Sequence, residues 1–174
     1  GPRARDVLAA TTRADVSAAA FRFMDAQTID VGPYQALVQR VSYTGDLGYE
    51  IYVNADEQYG LYQMLAQAGE AHGMRPFGMR AMMSLRLEKF FGSWMREFRP
   101  DYLPAETGMD RFVSYNKPVD FIGKAAAAAE KSAGPARILC AFAVDVLDAD
   151  VVADEPIFDG DAVVGFVTSG GYAH

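Results

Sequence analysis

The pattern of apolar and polar residues is clearest at residues 40–53, where two β-rich runs are joined by a short segment with two glycines. This arrangement predicts a β-hairpin. Side chains alternate between the faces of a strand, so Glu50 and Tyr52 are expected on one face, opposite Tyr49, Ile51 and Val53. One carboxylate therefore stands among aromatic residues. It is compatible with a solvated strand face or with an acceptor for the paired N–H groups of a planar heterocycle.

The rest of the chain also alternates between helical and strand patterns. Helical spacing predicts helices at residues 2–10, 59–69 and 78–88, a helical turn at 14–20 and a short exposed helix at 125–131. Strand patterns lie at residues 21–29, 34–43, 137–146 and 162–168, with a turn at 159–161. The second helix is expected to begin at N-cap residues within 54–56. The methionines at 79, 82 and 83 are predicted to fill a core.

These elements predict an α+β fold in which helices cover one face of an antiparallel sheet. A Ser-Ala-Gly-Pro segment at residues 132–135 is the clearest boundary signal, because beyond it the pattern turns to strands.

Composition argues against several classes of function. Of the 174 residues, 51% are hydrophobic and 22% charged, which is typical of a globular protein. A net charge of −7 leaves no broad basic surface, so nucleic acid is not an expected partner. We find no apolar run of about 20 residues and no signal-peptide pattern, so no membrane partner and a cytoplasmic location are expected. Cys140 lies in an apolar run and is predicted to be a buried thiol.

Self-contained catalytic motifs are not found. His72 and His174 are not spaced against cysteines or acids as zinc ligands are, so no metal site is expected, and neither a nucleophile elbow nor a phosphate loop is recognised. The sequence instead indicates a site for a planar polar ligand, with Glu50 as acceptor. Rings would come from Tyr43 and Tyr49, and guanidinium groups for a carboxylate tail from Arg80, Arg86, Arg96 and Arg99. Each arginine has a surface salt bridge or a helix cap as its alternative role.

The hairpin resembles a known signature. Tyr43, Thr44, Gly45, Gly48, Tyr49 and Glu50 match Y-T-G-E-x-G-[YF]-E of the aminomethyltransferase family, the T-protein of glycine cleavage, except at position 46. Four further blocks follow in the family's order, at residues 79–89, 98–112, 120–123 and 167–172. The sequences of these blocks are most similar to those of the folate-binding C-terminal modules of flavin-dependent sarcosine and dimethylglycine dehydrogenases.

The resemblance implies a folate-binding aminomethyltransferase domain at residues 1–131, followed at residues 132–174 by the start of a C-terminal β-barrel domain. It implies tetrahydrofolate as ligand, with Glu50 holding the pterin and Tyr43 beside the ring system. Arg80, whose guanidinium suits the carboxylate tail, is predicted as a third cofactor-binding residue. The family's catalytic aspartate lies upstream of the segment that matches residue 1, so the chain is expected to be an inactive fragment with no catalytic residue of its own. FAD is expected only in a separate upstream domain.

The function implied is capture of the one-carbon unit from sarcosine or dimethylglycine oxidation as 5,10-methylenetetrahydrofolate. A glycine-cleavage T-protein is one alternative, although Met82 and Met83 stand where its motif has a functional arginine and an aspartate. A second alternative is a protein of the same fold that binds a ligand or partner without transferase chemistry.

Overall fold

The structure is a computed structural model and describes residues 1–172. It contains two compact units, residues 1–89 and a second that begins at residue 90. Helices and small antiparallel sheets occur together, which confirms the predicted α+β class. The barrel assigned to residues 132–174 and the boundary at 132–135 stay predictions.

The first unit is built on a three-stranded antiparallel sheet. Its strands are β1 (Ala26–Val31), β2 (Tyr34–Gln39) and β3 (Glu50–Tyr52), in that spatial order. Its helices are α1 (Ala4–Ala9), α2 (Gln58–Glu70) and α3 (Met79–Glu88). The predicted first strand is therefore shifted toward residue 31, and the predicted helices before residue 90 are confirmed apart from the turn at 14–20.

One face of this sheet carries the core of the first unit. The core residues are Leu8, Val16, Phe21, Val31, Ala36, Val38 and Leu61, and Tyr49, Ile51 and Val53 are partly buried against them. Side chains of the opposite face, including Thr28, Leu37 and Glu50, are exposed. The alternation predicted for residues 49–53 is thereby confirmed.

The predicted helical turn at residues 14–20 forms only at the end of this segment, and side chains bind the backbone donors before it. The Thr12 hydroxyl accepts from the Ala14 N–H at 3.1 Å, and the Asp15 carboxylate accepts from the Ser17 N–H at 2.9 Å. Such local bonds compete with helix formation. The end of the segment makes a single helical turn, in which the Phe21 N–H donates to the Ser17 carbonyl at 2.9 Å.

Helix α2 begins later than the N-cap signal at residues 54–56 suggests. The Asn54 backbone N–H and side-chain amide both donate to Glu57 Oε2, at 3.2 and 3.0 Å, while the Glu57 N–H donates to the Asn54 carbonyl. Asn54 and Glu57 thus form one turn that ends before Gln58.

The prediction that the methionines of α3 fill a core is wrong. Met79 is 68% exposed, and Met82 and Met83 are half-buried. The residue that α3 buries is Arg86, which is 2% exposed.

The second unit contains a 3-10 helix (Asp110–Phe112), α4 (Lys124–Ala133), and the hairpin of β4 (Pro156–Asp159) and β5 (Ala162–Phe166). Helix α4 buries no residue, so the predicted exposed helix is confirmed. The predicted turn at residues 159–161 joins β4 to β5, with Gly160 at a positive φ of 58° that suits glycine.

The predicted strand at residues 137–146 is absent, and the prediction that Cys140 is buried is wrong, since it is exposed. The start of this segment is tied to residues 101–106 rather than to a strand. The Leu139 N–H donates to the Glu106 carbonyl at 2.7 Å, and Arg137 Nη2 donates to the Asp101 carbonyl at 3.0 Å. Without a pairing strand, β propensity alone does not form a sheet.

Glu106 connects these two segments through its side chain. Its carboxylate, which is 8% exposed, accepts from the Leu103 N–H at 2.9 Å and from Arg137 Nε at 3.0 Å. The bond from the Leu103 backbone holds the pKa of Glu106 below its ordinary value, and Arg137 acts in the same direction against the effect of desolvation.

This lowered pKa predicts an acid-sensitive second unit. A depressed carboxyl pKa in the folded state stabilises the fold fully above the unfolded value near 4.5, and this stabilisation is lost as the pH falls through the folded pKa. We expect Glu106→Gln to flatten the decline in hydrogen-exchange protection at residues 101–106 and 137–139 on acidification. Asp148→Asn, at an exposed carboxylate, is the control. An unchanged acid profile in Glu106→Gln would contradict the assignment.

Candidate functional site

The hairpin predicted from the signature is present, with a longer connection than expected. Strands β2 and β3 pair Val38 with Ile51 and Gln39 with Glu50, but residues 40–49 form the connection. The predicted strand at 34–43 therefore ends early. Arg40 bonds to the segment that precedes β1, since its N–H donates to the Asp25 carbonyl at 2.9 Å and its carbonyl accepts from the Met24 N–H at 3.0 Å.

Glu50 lies on the exposed face of β3 beside Tyr52, two residues along the same strand. The Tyr52 hydroxyl donates a short hydrogen bond to Glu50 Oε2. This bond raises the pKa of Tyr52 above 10.0, and desolvation and the carboxylate charge act in the same direction. Among residues 1–172 the second carboxylate oxygen has no hydrogen-bond partner, so the pair presents an acceptor beside a half-exposed ring.

Tyr43 lies in the connection and is half-buried. The same loop requires glycine at position 45, which has a φ of 81° and lies against Lys89. A Cβ at Gly45 would come within 2.5 Å of Lys89 Cγ. The loop that carries Tyr43 is thus packed against the end of α3.

Tyr49 does not share the face of Glu50. Its ring packs on Phe21, with centroids 5.6 Å apart, and it belongs to the side of the sheet that carries the core. The structure therefore assigns Tyr49 to the core rather than to a ligand surface.

The predicted arginines differ in their surroundings. Arg80 is exposed in the first turn of α3 and stays a predicted ligand residue. Arg96 pairs with Asp154 at 3.2 Å and Arg99 with Asp101 at 2.8 Å, so both make the surface salt bridges that were their alternative role. Arg86 is buried on α3 and is therefore not a surface residue.

Sequence reasoning missed Tyr52 as a partner of Glu50. The signal was present, because residues i and i+2 of a strand share a face and a tyrosine hydroxyl reaches a neighbouring carboxylate. The burial of Arg86 had no comparable signal, since it depends on tertiary packing.

The part of the chain that the structure describes offers neither a metal site nor a membrane-spanning helix. No group of three or more His, Cys, Asp or Glu side chains among residues 1–172 is placed to hold a metal ion. His72 Nδ1 lies 3.2 Å from Arg3 Nη2, and His174 is outside the described residues. Within the same range, the helices are too short or too polar to cross a membrane.

Comparison with known proteins supports the resemblance carried by the hairpin. The chain is 39% identical over its whole length to mitochondrial dimethylglycine dehydrogenase of Homo sapiens and covers 20% of that protein. It is 32% identical over 98% of its length to an aminomethyltransferase of Alkaliphilus metalliredigens, of which it covers 46%. The chain thus spans a fifth to about half of the length of these relatives.

Residues 1–117 match the family model described as the GCVT N-terminal domain. This match includes the signature hairpin and all of the first compact unit, and it extends over more than half of the chain. The predicted relationship to aminomethyltransferases is therefore confirmed, and the chain belongs to the GCVT N-terminal domain family.

Proposed function

We propose that this chain is a tetrahydrofolate-binding module that captures the one-carbon unit from oxidation of dimethylglycine or sarcosine as 5,10-methylenetetrahydrofolate. The observation that carries the proposal is the position of Glu50, exposed on β3 within the signature hairpin and hydrogen-bonded to Tyr52. The 39% identity to a dimethylglycine dehydrogenase favours this source of the carbon unit.

The residues at the hairpin fit a pterin. A pterin edge presents neighbouring N–H donors, and a carboxylate with one oxygen held by Tyr52 offers its other oxygen in a fixed direction. Gln39, opposite Glu50 in the β2–β3 pair, supplies an amide that can donate and accept beside it. Two further residues complete the proposed site. Tyr43 would lie next to the ring system of the folate, and Arg80 would bind its carboxylate tail.

The role of these residues is to bind and orient the folate. Bound folate supplies the nucleophilic nitrogen that takes up the carbon unit. Holding two reactants in one geometry accounts for a large part of the rate gain in such reactions. The resemblance assigns proton transfer to an aspartate in an upstream segment and amine oxidation to a flavin domain, and both belong to the proposal for the full-length protein.

A glycine-cleavage aminomethyltransferase is the second candidate. Its support is the 32% identity to an aminomethyltransferase over 98% of the chain. Met82 and Met83, which occupy the positions of a functional arginine and an aspartate in that motif, argue against it. A folate-fold protein without transferase activity is the remaining alternative.

The choice can be tested with the full-length protein and tetrahydrofolate. We expect 5,10-methylenetetrahydrofolate to form when dimethylglycine or sarcosine is supplied, and not when glycine is supplied with the other glycine-cleavage proteins. Formation of 5,10-methylenetetrahydrofolate only from glycine and the other glycine-cleavage proteins would favour the second candidate. Tight folate binding without product from any donor would favour the third.

Tyr52→Phe provides a graded test of the hairpin. Removing one hydroxyl donor leaves the carboxylate in place but less fixed, so we expect folate affinity to fall about two- to tenfold, the range of a single hydrogen bond. Isothermal titration of the full-length variant measures it. Leu37→Ala, on the same face opposite Tyr52, is the control for lost surface area. Equal losses in the two variants would argue against a polar role for Tyr52.

A further inference from the structure

The second unit contains a groove that the proposed function does not use. It has a volume of about 820 Å³ and lies between residues 113–117 and one side of α4. Helix α4 contributes Ala128, Lys131 and Ser132. Lys131 and Ser132 lie three and four residues after Ala128, so both are its neighbours on the helix surface. The volume is in the range of small-molecule sites.

The polar groups that line the groove are suited to donate hydrogen bonds to an anion. They are the side chains of Ser114, Tyr115, Asn116, Lys117, Lys131 and Ser132. None of the lining residues carries a carboxylate, in a chain that has 23 acidic residues. Lys117 and Lys131 are two of the four lysines in the whole chain. Half of the lysines of this acidic chain therefore line one groove.

The two lysine ammonium groups differ in their distance from aromatic rings. Lys131 Nζ lies 4.3 Å from the centroid of the Tyr115 ring, and Lys117 Nζ lies 6.0 Å from that of Phe121. The closer contact restricts the long side chain of Lys131, which lowers the entropic cost of holding a ligand. Lys124 Nζ donates to the Lys117 carbonyl at 2.7 Å and ties α4 to the loop.

Tyr115, which lines the groove, has a hydroxyl whose hydrogen-bonding capacity is not used within the described residues. It is buried and has no hydrogen-bond partner in the structure of residues 1–172. Burial raises the pKa of Tyr115, and the charges of Asp110 and Glu130 raise it further, so the hydroxyl keeps its proton and remains a donor. An unpartnered buried donor carries a free-energy penalty that a bound acceptor would remove.

Two carboxylates near Tyr115 oppose anion binding in part. Glu130 Oε1 is engaged, since it accepts from the Ala105 N–H at 3.1 Å, and neither Glu130 nor Asp110 lines the groove. The groups that do line it are neutral or positive.

We propose that this groove binds the oxyanion of a small molecule, a carboxylate or a phosphate, through Lys117, Lys131 and the hydroxyl donors beside them. The site is distinct from the hairpin that carries Glu50, and the proposal does not depend on folate binding.

Glutarate and inorganic phosphate are suitable probes for the full-length protein. Limited acetylation, quantified for each lysine by peptide mass spectrometry, should show protection of Lys117 and Lys131 by a bound probe. Lys89, which does not line the groove, is the internal reference. Chloride at matched ionic strength corrects for screening. The probe that protects at the lower concentration identifies the preferred oxyanion.

Lys131→Met should weaken probe binding about tenfold or more, because a charge-assisted contact is lost while the chain length is kept. Arg111→Met removes the same charge from the same unit, outside the groove, and should change binding little. Circular dichroism verifies that both variants are folded, which is expected because α4 buries no residue. Equal weakening in both variants, or no protection by either probe at about 10 mM, a concentration that detects even millimolar affinity, would overturn the proposal.

Discussion

Glu50→Gln is expected to weaken tetrahydrofolate binding by the full-length protein about tenfold to a hundredfold, the equivalent of roughly 1.5–3 kcal/mol for a hydrogen bond to a charged acceptor. The substitution keeps the shape of the side chain and replaces one acceptor oxygen by a donor. The Tyr52 hydroxyl then no longer meets a charged acceptor, and the N–H groups of the pterin edge meet an amide in place of a carboxylate. Isothermal titration at constant ionic strength measures the change.

Asp30→Asn is a matched control for this prediction. Asp30 is also an exposed carboxylate, lies on β1 of the same sheet and pairs with Gln35 in the register of β1 and β2. Asp30→Asn removes one negative charge, as Glu50→Gln does, from the same face of the sheet but at its other end. We expect its affinity for folate to stay close to that of the unmodified protein. Equal affinities for Glu50→Gln and the unmodified protein would remove Glu50 from the site.

The features that were predicted correctly depend on local periodicity. Alternation along residues 49–53 is a property of the chain itself, so the exposed side of Glu50 and the buried side of Ile51 follow from sequence. Helix α2 was likewise predicted from local periodicity, because its apolar residues recur at helical spacing. The turn at Gly160 is encoded by a residue that adopts a positive φ without strain.

The features that were missed depend on partners distant in sequence or on competition for backbone groups. Residues 137–146 have strand-like composition but no strand to pair with, and Arg137 is instead bound by Glu106. The alanines at 18–20 favour a helix, yet Thr12 and Asp15 bind the backbone N–H groups of residues 14 and 17, and a single helical turn forms after them. Neither outcome can be obtained from the composition of a short window.

The candidate site shows the same division. The signature located Glu50 and Tyr43, and alternation predicted which face Glu50 would occupy. The hydrogen bond from Tyr52 required the side-chain geometry of neighbouring positions on the strand. The burial of Arg86 required the packing of α3, since the methionines around it had been the expected core residues.

Phe21→Ala is expected to have the largest effect on stability in the first unit. Phe21 is 0% exposed in the core of this unit, where it touches the ring of Tyr49. Removing a buried aromatic side chain costs about 3–5 kcal/mol, so we expect protection of the β1–β3 amides against hydrogen exchange to fall about a hundredfold or more. Hydrogen-exchange mass spectrometry on the full-length protein measures this at residues 26–52.

Phe23→Ala is the control, because Phe23 lies two residues away and is 66% exposed. An exposed substitution of this kind changes stability by about 0.5 kcal/mol or less, so protection should remain near that of the unmodified protein. Equal protection in the two variants would show that the Phe21 side chain does not stabilise this sheet.

Phe21→Ala should also weaken folate binding, although Phe21 does not lie on the face of Glu50. Tyr49 precedes Glu50 in the chain, and its ring is held by Phe21 on the other side of the sheet. A loosened Tyr49 makes the position of the carboxylate less defined, which reduces the pre-organisation on which affinity depends. Glu50→Gln, in contrast, should reduce binding without loss of amide protection. The pair of measurements therefore separates the part of the hairpin that holds the site in place from the part that contacts the ligand.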